Sequence, residues 1–133
     1  MNAFVTGANG FVGRALCERL LAEGWRVRGA VRSQVGRVAL PAGIEAVAIG
    51  SIDGDTKWEA ALEDIDTVVH LAARVHVMRE TTSDSLAEFR RVNTEGTRRL
   101  GVMAAQAGVK RLVYVSTIKV NGEVSANGPF HED

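Results

Sequence analysis

The sequence is poor in several features that would have narrowed its function at once. It has one cysteine, Cys17, so no internal disulfide can form, and the usage fits a reducing compartment. Neither sign of charge is in excess. Lys plus Arg total 16 and Asp plus Glu total 16, so no basic face speaks for a nucleic-acid partner. No apolar run approaches the roughly 18 residues of a membrane span. The start, Met1-Asn2-Ala3-Phe4-Val5, has no basic stretch, so no secretory leader is expected. No cysteine–histidine spacing suggests a metal site. There is one tyrosine, Tyr114. What is present is ordinary: 133 residues, 46% hydrophobic and 24% charged, enough for one domain with a real core. A soluble, cytoplasmic single domain over residues 1–133 is the expectation.

Short apolar runs alternate with helical periods. Residues 3–6 are a buried strand that stops at Gly7-Ala8-Asn9-Gly10. From Phe11 the period changes. Val12, Leu16 and Leu20, with Leu21 beside them, form one stripe, and Arg14, Glu18, Arg19 and Glu23 take the other faces, up to Gly24. Further strands are predicted at 26–31, 45–49, 67–72 and 111–116. Residues 32–43 read as a loop with at most one helical turn. A short helix is predicted from 53–56 to about Leu62, capped by Asp55 or Thr56. A long helix is predicted over 85–107, with a stripe of Leu86, Phe89, Asn93, Gly96, Leu100 and Met103, ended by Gly108. Residues 122–133 read as a polar loop. Strands apolar on both faces, separated by helices, imply a doubly wound parallel α/β sheet.

The strongest local signal is Thr6-Gly7-Ala8-Asn9-Gly10-Phe11-Val12-Gly13, where a strand ends and a helix begins. Gly7 permits a tight turn. Gly10 lets backbone approach a pyrophosphate. Gly13 lets helix and strand pack closely, and the helix N-terminus offers free N–H groups to the anion. A glycine-rich turn without a ligand is the plainer alternative. Asn93 interrupts an apolar stripe, where a satisfied core amide is the plainer alternative; His70 interrupts an apolar strand and reads as a packed histidine.

The two-and-two spacing of these glycines after Thr6 resembles the extended branch of the short-chain dehydrogenase/reductase superfamily, which includes nucleotide-sugar epimerases, dehydratases and reductases. Three further segments carry the same resemblance. They are Asp66-Thr67-Val68-Val69-His70-Leu71-Ala72-Ala73, Val92-Asn93-Thr94-Glu95-Gly96-Thr97, and 108–117 from Gly108 through Tyr114 to Ser116-Thr117. The resemblance implies a Rossmann fold, here reaching only about the fifth strand. It implies a nicotinamide dinucleotide contacted by Gly7, Asn9, Gly10, Phe11, Val12, Gly13, Ser51, Ile52, Leu71, Ala72, Ala73, Asn93 and Ser116. Asn93 would support the site's architecture rather than carry a proton.

Where the family places a ribose-binding acid for NAD, this chain has Val31 followed by Arg32 and Ser33, with Arg28 and Arg37 near. A guanidinium and a hydroxyl suit a 2′-phosphate, so NADP is expected over NAD. A solvated loop charge is the alternative for Arg32. Ser51 stands where relatives place an adenine-contacting aspartate; Asp53 follows, and the sequence does not choose between them.

The resemblance makes Thr117 the catalytic hydroxyl, counted back from Gly122, with Asn121 replacing the usual tyrosine of a Tyr-Gly pair. The family's Tyr-x-x-x-Lys pair is missing: Ile118 lies four residues after Tyr114, and Lys119 is out of register. An N-terminal part of a longer enzyme is therefore expected, inactive alone and prone to self-association through its fifth strand. The stretches 70–78 and 118–122 are most similar to reductases and epimerases of bacterial surface-polysaccharide synthesis, which favours 4-keto-sugar reduction on a nucleotide-linked sugar. A non-catalytic NADP-binding sensor or interaction module is the competing class; the gene sequence past Asp133 separates the two.

Overall fold

The computed structural model describes residues 1–33, 40–75, 85–122, 124 and 128. Five parallel strands form one sheet in the order β3-β2-β1-β4-β5. They are β1 (Asn2–Thr6), β2 (Arg26–Val31), β3 (Glu45–Ala48), β4 (Thr67–His70) and β5 (Arg111–Tyr114). Helix α1 (Phe11–Ala22) joins β1 to β2, and the short α2 (Glu59–Leu62) joins β3 to β4. Between β4 and β5 run α3 (Ser85–Arg90), a π-helical stretch (Arg91–Gly96) and α4 (Thr97–Gln106). A 3₁₀ turn at Ile118–Asn121 follows β5.

β1 is the hinge of the topology. Val5 pairs with Gly29 of β2 on one side and Val69 of β4 on the other. The chain winds outward from β1 in both directions, so the C-terminal ends of β1 and β4 border the crevice where the winding reverses. In such sheets ligands bind at that crevice.

Successive residues of a strand face opposite ways, and β1 uses both faces. Phe4 packs with Trp58, Leu62, Val68 and Leu100 under α2 and α4. Its ring meets Trp58 edge-on, 5.9 Å between centroids. Val5 packs with Cys17 and Val27 under α1, alongside Leu16, Leu20 and Leu21. Burial, with the Glu18 charge as a lesser cause, pushes the Cys17 thiol up to about 11, which leaves it a small apolar residue.

Glycines end both long helices as the sequence suggests. Gly24 (φ +79°) and Gly108 (φ +76°) are left-handed. The amides of Gly24 and Trp25 return to the carbonyls of Leu21 and Leu20, and those of Gly108 and Val109 to Ala105 and Ala104. Both are Schellman closures.

Other boundaries differ from expectation. β3, β4 and β5 stop one or two residues early, at Ala48, His70 and Tyr114. Helix α2 starts at Glu59, and neither Asp55 nor Thr56 caps it. The Thr56 hydroxyl instead closes the loop before it, accepting from the Asp53 amide (2.8 Å) and facing the Ser51 carbonyl (3.0 Å). At its other end Arg28 Nη1, reaching from β2, donates to the carbonyls of Ala61 (3.1 Å) and Glu63 (2.8 Å). The 85–107 helix is not uniform but contains the π stretch, and Leu86 and Val12 are exposed rather than packed. Arg37 and residues 76–78 and 129–133 lie outside the described residues.

β5 is the edge strand, and both its faces are open: Leu112, Val113 and Tyr114 are 38%, 41% and 52% exposed. The core therefore centres on β1, β2 and β4. Leu100→Ala is expected to cost about 2–5 kcal/mol. Leu112→Ala, already in contact with water, is expected to cost less than about 1 kcal/mol. Urea unfolding midpoints of the two variants check this ordering.

Candidate functional site

The glycine turn is a backbone-on-backbone contact. Gly7 (φ +70°) turns the chain, and the Gly10 amide donates to its carbonyl at 3.0 Å. A Cβ on Gly13 would lie 2.0 Å from the Gly7 oxygen, so α1 rests directly on the turn. A Cβ on Gly7 would meet the Ala72 nitrogen at 3.0 Å, so the turn in turn rests on the backbone just past β4. Gly10 precedes α1 in extended conformation and puts no side-chain cap on it. The first turn of α1 carries no acidic residue. Phe11 and Val12 there are 96% and 59% exposed. An uncapped helix start over a small, open loop is the arrangement that receives a phosphate anion.

The strand ends beside this turn are tied by three buried or half-buried polar side chains. The Thr6 Oγ1 accepts from the amides of Leu71 (3.2 Å) and Ala72 (3.1 Å). The same oxygen lies 2.6 Å from His70 Nδ1, and His70 Nε2 lies 3.0 Å from Thr97 Oγ1 on α4. Thr6 and His70 are 0% and 1% exposed. Burial holds the His70 imidazole below its usual pKa, favouring the neutral ring. His70 is thus a packed histidine, as the sequence suggests, but with two long-range partners that a strand pattern does not reveal.

The π stretch fastens the neighbouring loops. Asn93 clamps one residue from both sides: its Oδ1 accepts from the Arg74 amide at 2.7 Å and its Nδ2 donates to the Arg74 carbonyl at 2.9 Å. The Arg74 guanidinium sits 5.5 Å over the Phe89 ring. Gly96 lies so close to the loop after β3 that a Cβ would be 2.5 Å from Ile52 Cγ2. Arg91 links Asp53 Oδ2 (2.9 Å) to Glu88 Oε2 (3.1 Å). The guanidinium lowers the Glu88 pKa chiefly through its hydrogen bond. Asp53 is therefore committed to the loop, with its Oδ1 accepting from the Asp55 amide. Ser51 is exposed, and its hydroxyl has no partner among the described residues. Of the two, Asp53 is engaged by Arg91 and the Asp55 amide, and Ser51 is the exposed one. The link from Arg91 to the loop was not identifiable from the sequence, because Asp53 is 38 residues away.

Arg32 and Ser33 follow the end of β2, exposed and without a side-chain partner among the described residues. Ser116 and Thr117 follow β5. Thr117 caps the 3₁₀ turn by accepting from the Lys119 amide at 3.3 Å, which leaves its hydroxyl proton free to be donated. Every sequence-selected residue in a loop lies past the C-terminal end of a strand, and Asn93 reaches the same rim from the helix side. A groove of about 490 Å³ lies at the opposite end of the sheet, lined by Asn2, Trp25, Arg28, Glu45 and Asp64 among others. It contains none of the selected residues.

Comparison with known proteins agrees with this geometry. The UDP-glucose 4-epimerase of Vibrio cholerae is 41% identical over 128 residues, covering 95% of this chain and 38% of that protein. A short-chain dehydrogenase/reductase superfamily protein from Agrobacterium tumefaciens with bound NAD superposes with a TM-score of 0.72 and 34% identity, over 90% of this chain and 34% of that one. MoeE5, solved with UDP-glucose and NAD, superposes with a TM-score of 0.80 and 33% identity, over all of this chain and 41% of that one. The chain thus spans well under half the length of these relatives. The model of the NAD dependent epimerase/dehydratase family matches residues 3–133. With the glycine turn, the parallel sheet and the relatives in agreement, the chain belongs to the NAD dependent epimerase/dehydratase family.

Proposed function

We propose that the chain is the dinucleotide-binding part of an oxidoreductase or epimerase acting on nucleotide-linked sugars, by 4-keto-sugar reduction or C4 epimerisation. The observation that carries this reading is the Gly7–Gly13 turn, wedged between α1 and the Ala72 backbone at the crevice of the sheet. The residues fit the cofactor: a cradle that a Cβ at Gly10 would begin to fill, 3.2 Å from the Gly7 oxygen, under an uncapped helix start. When bound, a nicotinamide dinucleotide supplies or accepts the hydride. In this reading Gly7, Asn9, Gly10, Phe11, Val12 and Gly13 hold the pyrophosphate. Ser51 and Ile52 border the adenine. Leu71, Ala72, Ala73 and Ser116 border the nicotinamide half, and Asn93 fixes the loop beside them. Thr117 donates its hydroxyl proton toward a substrate carbonyl.

The UDP-glucose epimerase relative and the UDP-glucose complex support a nucleotide-sugar substrate. A cytoplasmic role in surface-polysaccharide synthesis extends the same reading, and the open edge of β5 supports self-association. Among the described residues no helix is long and apolar enough to cross a membrane. The two structural relatives named above hold NAD. For this chain the exposed Arg32 and Ser33, in place of an acid after β2, favour NADP.

Two measurements test the reading. Gly10→Val is expected to abolish dinucleotide-dependent fluorescence changes, with its unfolding midpoint recorded to show that the variant is folded. Unchanged affinity in the folded variant rejects the site. Wild-type protein is expected to prefer NADPH over NADH by about ten- to a hundredfold, as one charge-assisted contact of about 1.5–3 kcal/mol allows. That preference disappears in Arg32→Ala; equal affinities in the wild type contradict the assignment.

A further inference from the structure

The contacts of the Thr6–His70–Thr97 chain favour one arrangement of protons. A hydroxyl oxygen has two lone pairs and one hydrogen. On Thr6 both lone pairs face backbone donors, the amides of Leu71 and Ala72. The remaining hydrogen must then point at the third neighbour, His70 Nδ1, 2.6 Å away. Nδ1 is therefore an acceptor and carries no proton. The neutral ring holds its proton on Nε2 and donates it to Thr97 Oγ1 at 3.0 Å.

We propose that His70, held as the Nε2–H tautomer, is a positioning residue for dinucleotide binding: through the Thr6 hydroxyl it keeps the Ala72 backbone seated against the glycine turn. The proposal rests on the reading of that turn as the dinucleotide site and adds how it is regulated. Leu71 has a second acceptor, the Thr6 carbonyl at 3.3 Å, so its amide survives a change at the hydroxyl. Among the described residues the Ala72 amide has the hydroxyl alone as acceptor. That amide is also the group on which Gly7 rests. Thr6 precedes Gly7 directly, so the hydroxyl joins both sides of the contact.

Protonation of His70 places a hydrogen on Nδ1, facing the hydroxyl's own hydrogen. Thr6 must then turn that hydrogen toward the two amides from which it accepts, which weakens its hold on the strand end; Leu71 can fall back on the Thr6 carbonyl, whereas Ala72 has no second acceptor among the described residues. The described residues in contact with the ring carry no charge to offer the imidazolium. β1 brings Thr6 and α4 brings Thr97, both uncharged, and β5 brings Tyr114, whose ring centroid lies 5.9 Å away. The depressed pKa agrees, with burial as its cause. The sign follows directly. The folded ring binds its proton less readily than the usual imidazole at about 6.5. Stability and dinucleotide affinity are therefore full above that value and are lost as pH falls through the lower folded value.

The test uses the whole chain with NAD as probe, because NAD lacks the 2′-phosphate that itself titrates in this range. Side-chain ¹H–¹⁵N spectra of the histidines are expected to show His70 as the Nε2–H tautomer. The Kd for NAD should rise as His70 titrates, by up to tenfold per pH unit, one proton's worth. In His70→Phe the difference attributable to His70 disappears. At pH 8 that variant should bind NAD at least about fivefold more weakly, since the Thr6 hydroxyl proton has lost its acceptor. An Nδ1–H tautomer overturns the proposal. So does affinity that stays flat through a resolved His70 titration, or a folded His70→Phe that binds as wild type does at pH 8. If His70→Phe does not fold, the tautomer and the wild-type pH profile still decide. Wild-type protein that binds no NAD or NADPH at any pH instead overturns the dinucleotide reading, and this proposal with it.

Discussion

The structure depends on one contact in which no side chain takes part. The Gly7 carbonyl, the Ala8 backbone and the Gly13 α-carbon meet so closely that a single methyl at Gly13 has nowhere to go. That contact fixes where α1 leaves the sheet, and so aims its uncapped N-terminus across the end of β1. Gly7 presses equally on the backbone past β4. The turn is therefore held from two sides, by a helix in front and a strand end behind. A loop that must receive a charged ligand without rearranging needs this kind of support, because close-packed backbone does not deform gradually.

Around the turn, polar groups out of water are matched with partners across the chain. Thr6, His70 and Thr97 form one string, and Asn93 satisfies both backbone groups of Arg74. Unmatched, each such group would cost about 1–3 kcal/mol. Matched, they set the relative placement of strand ends and loops that the apolar core alone leaves loose. The π stretch concentrates this task. Arg91, Asn93 and Gly96 each grip a different point on the loops past β3 and β4. A widened turn within a long helix is a common device near functional sites.

Much of this was legible in the sequence because it rests on local rules. The glycine spacing named the turn, the change from strand runs to helical period named α1, and Gly24 and Gly108 named two helix ends. Runs without alternation indicated a parallel sheet covered on both faces, and the five-strand order agrees with the doubly wound expectation. The family resemblance read from four motifs agrees with the match over residues 3–133. What failed depended on distant partners. Thr56 reads as a helix cap, but its hydroxyl is used by the Ser51–Asp53 loop. Asp53 reads as one of two candidates for an adenine contact, and nothing local reveals that Arg91 engages it from a helix 38 residues on. His70 reads as plain packing, because nothing local reveals that Thr6 and Thr97 arrive on either side of its ring. The π stretch adds no residue pattern of its own, so an apolar stripe drawn at 3.6 residues per turn passes over it and misplaces Leu86.

The central claim is that a dinucleotide binds at the C-terminal rim of the sheet, on the glycine turn. The groove of about 490 Å³ at the opposite end, between Asn2, Trp25 and Arg28, is the physical competitor. Backbone ¹H–¹⁵N spectra recorded while NAD and then NADPH are added distinguish the two directly. The account predicts the largest shifts at the amides of Gly7, Gly10, Phe11, Val12 and Gly13 and at Leu71, Ala72 and Ala73, with Asn2, Trp25, Arg28 and Glu45 unmoved. Shifts centred on that second group, or no shifts at millimolar dinucleotide, would contradict it.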